Sequence, residues 1–132
     1  MPAPRIDCHL HIWTGDEDKF PFNRDRGGSP EFNRPPGPDG LCGTAELLLR
    51  AQAEVNVAGA MIVQPVHHGF DHSYITDTMR RYPGKFKGSL VIDPHLSPAS
   101  AAAEIVRLHG DGWSGVRFKP VGGSSALPPR YI

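Results

Sequence analysis

Two histidines separated by one residue, His9 and His11, are the side chains of this 132-residue chain whose type and spacing point most directly to chemistry. They lie in Ile6-Asp7-Cys8-His9-Leu10-His11-Ile12, where apolar and polar residues alternate as in a β-strand. Ile6, Cys8, Leu10 and Ile12 then share one face, and Asp7, His9 and His11 the other. Residues i and i+2 of a strand are about 7 Å apart at Cα. Two imidazoles can lean together from that spacing onto one divalent metal, zinc first, with Zn–N bonds of about 2.0–2.1 Å. The same pattern also describes a half-exposed strand whose polar face meets water, so the pair needs context. Further along, Arg117 carries a planar fork that can grip a carboxylate through two parallel hydrogen bonds. Lys119 shares its face by strand period. A structural ion pair is the other reading of Arg117. His67 and His68 could reach a substrate from a loop, or be exposed loop histidines. Asp71 reads as a helix cap, and His109 suits the last turn of a helix.

The elements that must position these residues follow from periodicity and punctuation. After the first strand, the segment 14–43 is rich in turn formers: glycine and proline fill 11 of the 29 positions from Gly15 to Gly43. Irregular loops of that length are usually active-site lids, binding loops or disordered, and Phe20, Phe22 and Phe32 give this one aromatic side chains able to fold over a site. Thr44 then caps a helix whose apolar positions are Leu47, Leu48, Ala51 and Val55, stopping near Gly59. Ala60-Met61-Ile62-Val63-Gln64 reads as a strand buried on both faces. A second helix, capped by Asp71, places Tyr74, Ile75, Thr78, Met79 and Tyr82 on one face and ends at Pro83-Gly84. Ser89–Ile92 is a third strand, Ser97-Pro98 opens a third helix closed by Gly110, and Val116–Phe118 lies in a fourth strand.

The order β-loop-α-β-α-β-α-β implies right-handed crossovers and a parallel sheet. A dinucleotide-binding fold needs a Gly-x-Gly-x-x-Gly turn after the first strand, and this chain has none. The fold class expected is therefore α/β, the N-terminal half of a (β/α)8 TIM barrel with four parallel strands and intervening helices. In such barrels the active site gathers at the C-terminal ends of the strands. His9 and His11, the loop 64–70, Asp93-Pro94-His95, and Arg117 with Lys119 all fall at such ends.

Bulk properties narrow the function. Fourteen basic residues balance fourteen acidic ones, and the absence of a basic run argues against nucleic acid or an anionic membrane as partner. No apolar stretch approaches the length of a membrane-spanning helix, and Met1–Arg5 leaves no room for a signal peptide. Cys8 and Cys42 form no disulfide or finger pattern, so the expectation is reduced thiols in a cytoplasmic protein, with Cys8 buried as packing.

These features together resemble the amidohydrolase-related family. The resemblance spans Ile6 to about Pro120. It rests on Ile6–Trp13, Phe20-Pro21-Phe22, Val63-Gln64-Pro65, Arg81–Phe86, Val91-Ile92-Asp93-Pro94 and Gly115-Val116-Arg117-Phe118. It implies a hydrolase of small carboxylates or lactones, with decarboxylases in the same branch. His9 and His11 would bind a divalent metal, or touch substrate directly as in metal-free lactonase-like members. Arg117, His68 and Lys119 would contact a small anionic substrate. In other branches of the superfamily a lysine at the end of strand four is carboxylated and bridges two metals. The chain also departs from the family: the histidine after strand five and the aspartate after strand eight have no counterpart within 132 residues. The expected organisation is residues 1–120 as half of a barrel and 121–132 as a low-order tail. Self-association, or pairing with a missing C-terminal half, would close the sheet. A non-catalytic short form that binds metal or a full-length barrel is the alternative.

Overall fold

The computed structural model describes residues 3–23 and 43–118. Within them β1 (Arg5–Leu10), α1 (Ala45–Glu54), β2 (Val57–Val63), α2 (Ser73–Arg81), β3 (Phe86–Val91), α3 (Pro98–Gly110) and β4 (Trp113–Arg117) alternate. The strands form one sheet in chain order, and each neighbouring pair is parallel. This is the expected first half of a (β/α) barrel.

Local chemistry sets the helix starts. Thr44 accepts the Leu47 N–H at the head of α1, and Ser97 accepts the Ser100 N–H at 3.1 Å, with Pro98 in the first helical position of α3. At α2 the cap position falls on His72, whose side chain makes no capping bond. Asp71, one residue earlier, accepts the Ser73 N–H at 2.9 Å. The turn from α1 into β2 is made by Asn56, in the left-handed region at φ 54. Gly59, expected as the helix stop, lies inside β2 instead. A Cβ there would clash with the Lys85 carbonyl oxygen, so the residue is needed for close strand approach.

The core lies between the sheet and the three helices. Ala60, Ile62, Phe86 and Leu90 from the strands meet Tyr74, Ile75 and Met79 of α2 and Ala101 and Leu108 of α3. Burying one such large aliphatic or aromatic side chain is worth about 1.5–3 kcal/mol. Trp113 completes this layer: it is buried, and its Nε1–H donates to Thr76 Oγ1 at 2.9 Å. Its ring fills the space beside Gly88, where a Cβ would meet it at 2.5 Å. Strand starts come earlier than the apolar runs suggest, at Val57, Phe86 and Trp113, because Lys87, Gly88 and Gly115 pair as strand residues despite their composition, with Ser114 at the register shift between Trp113 and Gly115.

Two expectations about burial are corrected. In α1 the inward residues are Ala45, Leu48, Leu49 and Gln52, while Leu47 and Val55 are exposed. Cys8 is exposed, not packed. The cause is topological. Each helix packs chiefly against the strand that follows it, α1 on β2, α2 on β3 and α3 on β4. Among the described residues β1 has no helix of its own, so Ile6 is 58% exposed beside Cys8. At the other edge Val116 and Phe118 are exposed, because no strand among the described residues covers β4.

Candidate active site at the C-terminal ends of the strands

The backbone of β1 is irregular where the histidines sit: its register against β2 shifts between Asp7 and Leu10, and Asp7 Oδ1 accepts the His9 N–H at 2.9 Å. His9 and His11 meet edge to face, with ring centroids 5.2 Å apart. His11 Nδ1 lies 2.8 Å from the Val63 carbonyl oxygen. A carbonyl only accepts, so Nδ1 carries a proton, and in the neutral ring the lone pair is then on Nε2. A backbone carbonyl thus fixes ring and tautomer, the usual way a working histidine is oriented.

The loop after β1 folds directly onto the loop after β2. Trp13 donates its N–H to the Gly43 carbonyl at 2.9 Å and stacks on His67, with centroids 5.2 Å apart. That bond joins the two ends of the long 14–43 loop. Phe20 packs edge to face on Tyr74, and Phe22 lies against His68. The described beginning of the loop is therefore seated on the barrel, while Phe32 lies outside the described residues. Gln64 is buried and donates through Nε2 to the carbonyls of Gly69 and Asp71, at 3.0 and 2.7 Å. It shapes the second loop, a role its place in an apolar run does not announce.

His68 corrects an expectation. It is 2% exposed, its Nε2 accepts the Thr14 N–H at 3.3 Å, and its Nδ1 donates to the Pro21 carbonyl at 3.2 Å. With both nitrogens engaged by backbone it is not an exposed loop histidine. His67 is half-buried, and its buried Nδ1 has no hydrogen-bond partner among the described residues. Burial, reinforced by the nearby imidazoles of His68 and His11, which disfavour a further positive charge, holds the His67 imidazole below the ordinary histidine pKa. Burial does the same at His72, whose Nε2 accepts the Val91 N–H at 3.4 Å and whose ring meets Trp113 edge to face. His109 donates from Nδ1 to the Trp113 carbonyl, a structural bond. His95 is exposed on the turn after β3, where its N–H donates to Asp93 Oδ1.

Arg117 ends β4, exposed, in register with Val91. It stands three strand spacings from β1, about 14 Å along the sheet. Lys119 lies outside the described residues. No group of three His, Cys, Asp or Glu side chains among the described residues is arranged to hold a metal ion. Imidazoles such as those of His9 and His11 suit a divalent metal, but a catalytic zinc generally takes three protein ligands. The described residues supply two.

A parallel half-barrel with a histidine pair at the C-terminal end of its first strand defines a (β/α)-barrel class with its working site at the barrel mouth. The chain belongs to the amidohydrolase family, whose profile matches residues 6–131. Its fold is similar to that of a probable 2-pyrone-4,6-dicarboxylic acid hydrolase from Acinetobacter baumannii solved with citric acid bound. There the TM-score is 0.63 at 21% identity over 87% of this chain and 37% of that one. An apo protein from Agrobacterium tumefaciens gives 0.63 at 18% identity, covering 88% of this chain and 37% of its own. A putative 2-pyrone-4,6-dicarboxylic acid hydrolase from Pseudomonas putida gives 0.58 at 19%, covering 89% and 37%. The chain therefore spans little more than a third of the solved structures it resembles. No helix among the described residues is long and apolar enough to cross a membrane.

Proposed function

We propose that this chain carries the N-terminal part of the active site of a hydrolase that cleaves a small carboxylate ester or lactone by attack of water on its carbonyl. The observation that carries this reading is the His9–His11 pair, with His11 pinned through Nδ1 to Val63 and its Nε2 lone pair left available. Arg117, with Lys119 beyond it, binds a carboxylate of an anionic substrate. The solved relatives named for a pyrone dicarboxylate, one holding citrate, support a small polycarboxylate class. His9 and His11 together with ligands from outside the described residues would hold a divalent metal, zinc first, which would polarise the carbonyl and acidify bound water. Used without metal, the same pair donates or accepts hydrogen bonds at the scissile carbonyl. The remaining base comes from whatever closes the sheet, a C-terminal half or a second chain. Cytoplasmic location fits the reading of the two cysteines as reduced thiols.

A second reading is favoured by the edges that β1 and β4 leave open among the described residues, with Ile6, Val116 and Phe118 exposed: a short form that binds metal or a full-length barrel without turnover. The deciding experiment is hydrolysis of a dicarboxylate lactone by the closed assembly, with and without chelator, for the parent and for His9→Ala. Turnover lost in the variant supports the first reading. Stoichiometric binding to a full-length barrel without turnover supports the second.

A further inference from the structure

We propose that His68 is the positioning residue of this mouth: a neutral latch whose two ring nitrogens hold both arms of the loop after β1, and through them the Trp13 segment that continues directly from His11. The outgoing arm is gripped at Thr14, whose N–H donates to Nε2, and the returning arm at Pro21, whose carbonyl accepts from Nδ1. The ring is sandwiched near Phe22 and Tyr74. Its neighbours reinforce the clasp. Asn23 donates its N–H to the His67 carbonyl at 2.8 Å, and the Asn23 side chain occupies the space where a Cβ of Gly69 would stand. Trp13 stacks on His67.

Both grips require one protonation state. The Thr14 amide can only donate and the Pro21 carbonyl can only accept, so the neutral Nδ1–H tautomer alone satisfies them. A proton added at Nε2 would set N–H against N–H, breaking the Thr14 grip while leaving the Pro21 grip intact. The charged groups facing the ring are Asp71 on its own loop and Glu17 on the seated loop, both of which favour the proton. His67 is the adjacent titratable group. Burial outweighs the acids and holds His68 below the ordinary histidine range. The latch is therefore closed at neutral pH and releases one arm on acidification.

The inference rests on the proposed site only for its effect on turnover, and its test contains no substrate. Hydrogen–deuterium exchange of the full chain, read by mass spectrometry on peptides from segment 13–22 and corrected for intrinsic rates, is followed from pH 8 to pH 5. Parent exchange in that segment should rise about five- to tenfold on acidification, the equivalent of a lost hydrogen bond or slightly more. His68→Gln keeps an acceptor for Thr14 and has no proton to gain, so the acid step should vanish. His68→Leu should exchange rapidly at every pH. If the leucine variant fails to fold, the parent and glutamine series still decide. An acid step that survives in His68→Gln, or a parent without one, overturns the proposal.

Discussion

Val63 binds His11 through the one atom of its backbone that can accept, and this separates the structural role of that histidine from its chemical one. His11→Asn places an amide N–H near the former Nδ1 position and removes Nε2. The variant should therefore fold, with thermal stability close to the parent, and yet lose hydrolysis by about a hundredfold or more. Steady-state turnover beside a melting curve checks both halves of that expectation. The histidine pair was legible because its spacing is covalent: alternation along a strand puts two side chains on one face wherever the strand lies. The fate of His68 was not legible. Its partners Thr14 and Pro21 are 54 and 47 residues away in sequence, and only the folded loops bring backbone to both sides of the ring.

Helices and strands join here through small residues at points of close approach, which makes the sheet sensitive to single methyl groups. Gly88→Ala would drive a Cβ into the Trp113 ring, itself fixed by its bond to Thr76. The expected loss is about 1–3 kcal/mol of overpacking, seen as a lower denaturant midpoint. Gly15→Ala, where nothing lies within 4 Å, should change little. Capping was the most readable feature at this scale: Thr44 and Ser97 accept helix N–H groups where their sequence context placed them. The buried face of α1 was less readable, because Leu47, Leu48 and Leu49 are consecutive. Which of them turns inward depends on where β2 lies beneath the helix.

Across the whole molecule, three buried or half-buried histidines, His67, His68 and His72, are held below their ordinary pKa chiefly by burial. The unfolded chain then takes up protons first as pH falls below about 6.5, while the folded chain stays neutral at these sites. Their contribution to stability is complete above that pH and is lost as it falls toward the folded values. Melting temperature should decline from pH 7 to pH 5, and a flat profile there would contradict this account. The open edges carry a second expectation at this scale. Strand edges unpaired among the described residues, beside exposed Ile6 and Val116, favour association, so light scattering should show more than a monodisperse monomer. In a Cys42→Ser background, Cys8 should react quickly with a thiol reagent in the free chain and become protected when a second half covers β1. The intact mass of the endogenous protein then distinguishes a 14.4 kDa product, closed by a partner, from a longer barrel.

By itself the sequence determined the order of elements, the parallel sheet, the caps of α1 and α3 and the facing of His9 with His11, because each follows from contacts or periodicities a few residues long. Tertiary structure alone decided that Cys8 is exposed, that Gln64 and His68 hold loops in place, and that Gly59 and Gly88 are points of close approach. Those outcomes depend on which strand each helix covers and which distant backbone atoms arrive beside a ring. Packing between segments dozens of residues apart sets both, and local pattern carries no record of it.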